Sequence, residues 1–410
     1  MAATLGMLGI GSFSATVAPG NFREAILREY PRGGAVFTMI LGMLPSESVN
    51  SRKFTWFEQG LPQQRFAVAG SHAADATTII LDTAVPITNT TPGYSFKTGH
   101  LVRVESTGEI MLVVGKDGTN PEYKLTVVRG VGNSATGYII ADHGIITIVG
   151  HADQEGADTP NSINYAPTEE WNYIQTIRTA LDLTDDAAQE YYRTGDIMKN
   201  EKFDKAMDHA LDQERAFLWG KRESIAVTTG DFTSGGTGLN HRMMGGLWSF
   251  LGADYSTSFA STGLTKTGWH NFLKPIYTVQ NGSMNKAAFC GATFLQAIND
   301  YAEQNSAIQT EPGDKTYGLT IRTLYHPWGE LKLIPHPLFS EHEDWSKMAV
   351  IVDLKNVKYR FLRNRDTRFL LERQGNGEDR VTHEFMTKCS LELRFKRTHG
   401  IAYGVSEYVA

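Results

Sequence analysis

The segment 381–396 alternates without interruption. Val381, His383, Phe385, Thr387, Cys389, Leu391, Leu393 and Phe395 hold one set of positions. Thr382, Glu384, Met386, Lys388, Ser390, Glu392, Arg394 and Lys396 hold the other. A period of two over this length predicts a single β-strand with one buried face. Ordinary strands run about five or six residues, whereas at about 3.3 Å per residue this one reaches ~53 Å. Asn376-Gly377 just ahead of it supplies a hairpin turn and predicts pairing with Val357–Glu372.

A helix of matching length is predicted from Asp185 to Trp219, a stretch without proline. Thr184, Asp185 and Asp186 provide N-cap chemistry and first-turn negative charge. Phe203, Met207, Ala210/Leu211 and Phe217/Leu218 recur at helical spacing as one apolar stripe, with Glu201→Lys205 as an i,i+4 ion pair on the wet side and Gly195 as the weak point. At 1.5 Å per residue the rod is about 50 Å long, against a radius of gyration of ~22 Å for a compact chain of this size. Laying the stripe along the apolar face of the strand gives a long thin plate. Such a plate has too much edge to stand alone.

The remaining chain divides by character. Residues 1–65 show little periodicity and read as an extended arm, with the apolar cluster Ala35–Leu44 and the strand-like run Lys53–Glu58. Removing residues 1–50 is therefore expected to weaken assembly more than folding. Residues 66–152 carry short Val/Ile/Thr-rich runs at Thr77–Asp82, His100–Glu105, Glu109–Val114, Lys124–Arg129 and Gly144–Val149. Turn signals at Thr91-Pro92-Gly93 and Asp117-Gly118 separate them, the signature of a small antiparallel sheet or barrel. Gly230–Gly246 reads as glycine-rich loop. Helices at Thr267–Gln280 (kinked or shortened by Pro275) and Thr293–Gln304 flank a strand at Lys286–Cys290. Leu319–Tyr325 and Glu330–Ile334 form a hairpin across His326-Pro327-Trp328-Gly329, and Lys347–Asp353 is a buried strand.

Composition narrows the function classes. No run approaches the ~18–20 apolar residues of a membrane span, and the apolar Met1–Gly11 lacks the basic region of a cleaved signal peptide. Two cysteines, Cys290 and Cys389, suit a reducing compartment. A net charge of −6 argues against a dedicated nucleic-acid binder. His326, His336 and His342 with Glu330, Glu341, Glu343 and Asp344 are the densest set of metal-ligand types, which raises a metal-dependent hydrolase. Their spacing matches no HExxH or CxxC framework, so they read as turn and surface residues. Gly235-Gly236-Thr237-Gly238 fits no phosphate-binding fingerprint, and no GxSxG elbow occurs. No catalytic residue, metal or cofactor is assigned. Charge is uneven: residues 66–165 hold five Lys/Arg against ten Asp/Glu, and 355–397 hold twelve against six. Solvated strand faces and nucleic-acid contact are two readings. A third is that identical copies pair the acidic module with the basic plate.

In this order the elements resemble the tailed-bacteriophage major capsid proteins, whose fold is shared with encapsulins and the herpesvirus capsid floor. Phe54-Thr55-Trp56-Phe57-Glu58 looks like the start of the family's extended loop. Gly99-His100-Leu101-Val102-Arg103-Val104 and Val127-Val128-Arg129-Gly130 resemble a recurring insertion pattern. Asp185–Trp219 is similar to the spine helix, and Gly238–Leu247 to a glycine-closed motif after it. Gly329–Phe339 is similar to an axial-domain strand and loop, and Glu384–Gly404 to the terminal strand and tail.

The resemblance implies an α+β phage major-capsid fold. Its parts are an arm (1–52), an extended loop with a β-barrel-like insertion (53–165, insertion 66–152), and a peripheral domain with the spine helix (166–225, helix 185–219). An α/β axial domain (226–354) and peripheral β-strands with a tail (355–410) complete it. It implies a non-enzymatic shell of hexamers and pentamers in the virion, assembled in the host cytoplasm. The implied partners are other copies, a portal, scaffold or cement proteins, and packaged double-stranded DNA held without sequence-specific contact, with no membrane. No long charged helical segment precedes residue 50, which speaks against a fused scaffold. Phe54, Trp56, Phe57, Glu58, Arg360, Arg363, Arg365 and Arg368 are the expected intersubunit contacts. The alternatives are an encapsulin-like nanocompartment, a phage tail-tube or decoration protein, and the hydrolase.

Overall fold

The computed structural model describes residues 34–60, 64–82, 95–116, 124–132, 137–156, 167–190, 195–227, 240–252, 254–279, 281–304, 310–311, 315–316, 319–320 and 322–409. Most of the arm, the turns at 91–93 and 117–118 and most of the loop 230–246 lie outside these residues. By contacts the chain forms two compact units, one of Trp56–Glu170 and one of the segments before and after it.

The described chain starts with α1 (Val36–Met43) and β1 (Ser46–Val49). This part of the arm is not extended. Val36, Phe37 and Leu41 are buried, and Phe37 meets the rings of Phe217 and Phe289 edge-on. Deleting residues 1–50 would therefore remove core and injure folding as well as assembly. The division between the units falls in β2 (Lys53–Glu58) and β9 (Thr168–Tyr173), which pair with each other.

The smaller unit holds β3 (Arg65–Ala67), β4 (Thr78–Ile80), β5 (His100–Val104), β6 (Ile110–Lys116), β7 (Lys124–Val128) and β8 (Ile145–His151). They hydrogen-bond in the order β3-β8-β5-β6-β7-β4. An antiparallel bridge between Val68 and Leu81 joins the two ends, with Ala69 N donating to Ile80 O and Asp82 N to Ala67 O at 2.9 Å each. The sheet thus closes into a barrel and leaves no free edge. Its core is built on apolar side chains, among them Phe66, Phe96, Val102, Met111, Leu125 and Ile146, and His72, Ser95 and His100 are buried in the same unit. One buried ion pair stands beside it. Arg129 meets Glu109 at 2.7 Å, and Glu109 also accepts from the backbone N–H groups of Gly130 and Tyr138. Burial raises the Glu109 pKa, but those donors outweigh it and the net shift is downward.

In the larger unit β10 (Gln175–Thr184) leads into α2 (Asp185–Gln189) and then α3 (Ile197–Trp219). The predicted single rod is therefore broken. Gly195 adopts φ +86°, and Asp196 caps α3 by accepting from Met198 N and Lys199 N. At 1.5 Å per residue α3 is about 34 Å long. The buried face also differs from the predicted stripe. Phe203 is 53% exposed, while His209, Gln213, Glu214, Phe217 and Leu218 are buried. Lys205 reaches Asp208 at 3.4 Å rather than Glu201.

After α3 come α4 (Leu247–Leu251), β11 (Ser256–Ser258), α5 (Lys266–Tyr277), β12 (Asn285–Cys290), α6 (Ala292–Gln304), β13 (Thr310–Glu311), β14 (Arg322–His326), β15 (Gly329–Pro335) and β16 (Ala349–Val352). Then follow β17 (Val357–Leu362), β18 (Arg368–Leu370), β19 (Arg380–Leu393) and β20 (Gly400–Tyr403). Pro275 shortens α5 without breaking it. The hairpin of β14 and β15 closes with His326 opposite Gly329, as expected. A mixed seven-stranded sheet runs β11-β20-β16-β12-β15-β14-β13.

The second sheet runs β1-β17-β19-β10, with β18 also on β19. The long terminal strand spans 14 residues. It stops at Leu393 because Phe395 turns left-handed (φ 48°). The hairpin of β17 and β18 against β19 is observed. β10, which the alternation in 381–396 does not announce, pairs with β19 over its full length.

Candidate intersubunit surface

Three buried polar assemblies set the shape of the larger unit. Glu214 is fully buried, and its carboxylate accepts from Phe37 N (2.8 Å), Thr38 N (2.7 Å), Thr38 Oγ1 (2.6 Å) and His336 Nε2 (2.6 Å). It caps α1 from α3 and ties both to the loop after β15. His336 is thus a core residue, where turn and surface placement had been expected. His326 lies half-buried beside Trp269 and His270, and His342 caps a short helix through Asp344 N. The three histidines do not converge. Among the described residues no group of three His, Cys, Asp or Glu side chains is placed to hold a metal.

The second assembly fastens α3 to the sheet. The Thr387 hydroxyl donates to Thr367 Oγ1 (2.8 Å), so His209 Nε2–H donates to Thr387 (2.8 Å). His209 Nδ1 then accepts from Thr179 (2.9 Å). Burial holds the His209 pKa below its ordinary value, in keeping with this neutral tautomer. In the third, Asn172 of β9 donates to Gly245 O and Leu391 O and accepts from Gly245 N. Gly246 next to it packs so tightly on the end of α3 that a Cβ would lie 2.6 Å from Phe217 O. No other residue fits there, which gives the glycine pair its structural reason.

The face of the second sheet turned away from α3 carries charge in layers. Glu392 is fully buried beneath Arg360 and Arg394, and Arg360 with Lys358 also binds Glu47 of β1. Glu384 is buried beneath Arg178, with Arg373 at 3.8 Å. The Arg178 hydrogen bond holds the Glu384 carboxyl below its usual range. The one-buried-face reading of the terminal strand therefore fails towards its C-terminal end. There Ser390 and Glu392 are as buried as Cys389 and Leu391.

The eight expected contact residues are divided by this geometry. Arg363, Arg365 and Arg368 are exposed between and on β17 and β18, while Arg360 is committed to Glu47 and Glu392 within the chain. On β2 the side chains alternate. Phe54 and Trp56 are buried, Phe57 is 67% exposed, and Glu58 accepts from Trp56 Nε1 at 2.8 Å. Sequence reasoning missed Arg52, Arg178 and Lys388 on the charged face. The period-two pattern Ile177, Thr179, Leu181, Leu183 could have announced β10 and with it Arg178.

The family model described as SU10 major capsid protein matches residues 15–406. The chain belongs to this family. The "Major capsid protein" of Pseudomonas phage PaMx41 is 23% identical to this chain over 382 residues, covering 90% of this chain and 86% of the relative. Solved structures that resemble this capsid chain include the capsid of a native GTA particle (10% identity, TM-score 0.43, 95% of this chain and 98% of that one). Another is that of Microbacterium phage Oxtober96 (11% identity, TM-score 0.42, 97% and 99%). A third is the holo-SrpI encapsulin complex from Synechococcus elongatus PCC 7942 (12% identity, TM-score 0.39, 60% and 79%). The SU10 family match decides for a phage capsid protein over the encapsulin, tail-tube, decoration and hydrolase alternatives.

Proposed function

We propose that copies of this chain form the hexamers and pentamers of an icosahedral phage head that encloses double-stranded DNA, a structural role without a catalytic step. The observation that carries the reading is the SU10 major capsid match across 15–406. Shell subunits contact one another heterologously, so that rings of five and six close. Stable contacts of this kind bury on the order of 1,200–2,000 Å². The exposed Phe57, Arg363, Arg365 and Arg368 supply contacts to neighbouring copies, with Glu58. Phe54, Trp56 and Arg360 hold those contacts in place from below.

A net charge of −6 suits a wall that confines DNA without gripping its sequence. Portal, scaffold and cement proteins complete the particle, and assembly takes place in the host cytoplasm. The test is electron microscopy of the purified full chain. Closed shells with five- and six-fold units are expected, and unassembled chain under all conditions would refute the reading.

A further inference from the structure

Thr387 and Phe385 of β19 face α3 through His209, so Lys388 lies on the opposite face of the sheet. Three arginines surround it. Lys388 stands opposite Thr176 of β10, and Arg178 is the next residue of β10 on the same face. The Lys388 N–H donates to the Arg365 carbonyl at 3.1 Å, and Ile174 N donates to the Arg52 carbonyl at 2.8 Å just before β10 begins. Arg52, Arg178 and Arg365 are exposed and Lys388 is half-buried. Burial first, then Arg365, Arg52 and Arg178, hold the Lys388 pKa below its ordinary value. Glu384 occupies Arg178. Among the described residues no carboxylate forms an ion pair with Arg52, Arg365 or Lys388. Three uncompensated cations, Arg52, Arg365 and Lys388, gathered beside the Arg178–Glu384 pair on one side of a sheet are unfavourable unless something negative is brought to them.

We propose that Arg52, Arg178, Arg365 and Lys388 form a docking site for carboxylates of a second copy, supplied by its acid-rich barrel unit. This rests on the shell reading above and adds the partner chemistry. The sequence of that module carries twice as many acids as bases. Several of its acids are already engaged: Glu105 by Arg65, Glu109 by Arg129, Asp142 by His143 and Asp153 by His151. Asp75, Glu155 and Glu169 are exposed, and no cation pairs with them among the described residues. A phosphate backbone is disfavoured because the chain as a whole carries a net charge of −6, whereas a nucleic-acid surface draws on a broad excess of cations.

The test uses the full chain. Arg365→Glu with Lys388→Glu is expected to raise the concentration for half-assembly about tenfold, as read by light scattering at about 0.15 M salt. Adding Asp75→Lys, Glu155→Lys and Glu169→Lys to the same chain is expected to recover assembly. Near-UV circular dichroism checks folding, and Arg365→Gln with Lys388→Gln replaces the pair if the reversal does not fold. Unchanged assembly of a folded variant overturns the site, as does failure of the acid reversals to rescue it. Unaltered assembly with weakened binding of a fluorescent DNA duplex also overturns it and assigns the cluster to nucleic acid. If the unsubstituted chain forms no particles at all, the shell reading itself fails.

Discussion

The barrel and the helix-backed sheet are both sealed β-structures, closed by opposite means. The barrel shuts on itself around a core of apolar side chains, with His100 the buried ring next to Phe96. The helix-backed sheet is held by polar side chains that satisfy one another: His209 between two threonines, Glu214 under four donors, Glu392 beneath two arginines. The first kind of interior writes itself into the sequence as alternating Val, Ile and Leu. The second does not, because residues ordinarily exposed become tolerable inside only when their partners arrive from elsewhere in the chain.

The largest expected effect is at Glu214. Replacing it with alanine strands four donors and costs about 3–5 kcal/mol, whereas Glu214→Gln, which keeps one acceptor oxygen, costs less. Met111→Ala, a cavity in the barrel core, is expected to cost about 2–5 kcal/mol. Hydrogen exchange separates the two. Met111→Ala should deprotect amides within 65–151 and Glu214→Ala those of α1 and α3. Deprotection of the same set by both would erase the contrast.

Acid should weaken both regions. Burial presses His399 and His326 in the larger unit, and His100 in the barrel, down to about 4. In each case the folded pKa lies below the ordinary 6.5, so the unfolded chain binds more protons between them. Stability is then fully present above pH 6.5 and declines as pH falls towards about 4, with a slope set by up to one extra proton bound per histidine in the unfolded chain. A denaturant midpoint that stays flat across this window would contradict the buried placement of these rings.

The smallest effect is the most pointed. Pairing His209→Leu with Thr179→Val removes the ring acceptor and its donor together, while Thr387 keeps Thr367 and Gln213, and is expected to change stability by less than about 1.5 kcal/mol. His209→Leu alone should cost about 1–3 kcal/mol by leaving Thr179 short of a partner. A double variant as damaged as the single would show that the polar layer does more than satisfy itself.

The same contrast explains what could be read in advance. The hairpin at 326–329, the terminal strand and the barrel strands other than β3 lie where alternation and turn residues put them, whereas β3, three residues long, shows no period of its own. The stripe through Phe203 failed because periodicity ranks phenylalanine inward and histidine outward, while His209, Gln213 and Glu214 are the buried ones. The 35-residue rod failed at Gly195, whose left-handed backbone no hydrophobic pattern reports. Arg360 read as a free surface cation because its partners, Glu47 and Glu392, are remote in sequence. Arg52, Arg178 and Lys388 could not be grouped before the register of β10 on β19 was known.

Sedimentation velocity over a rising concentration of purified full chain bears most directly on the whole account. A cooperative step from slow material to a single fast boundary of closed particles is the predicted result. One slow single-copy boundary at every concentration would contradict it.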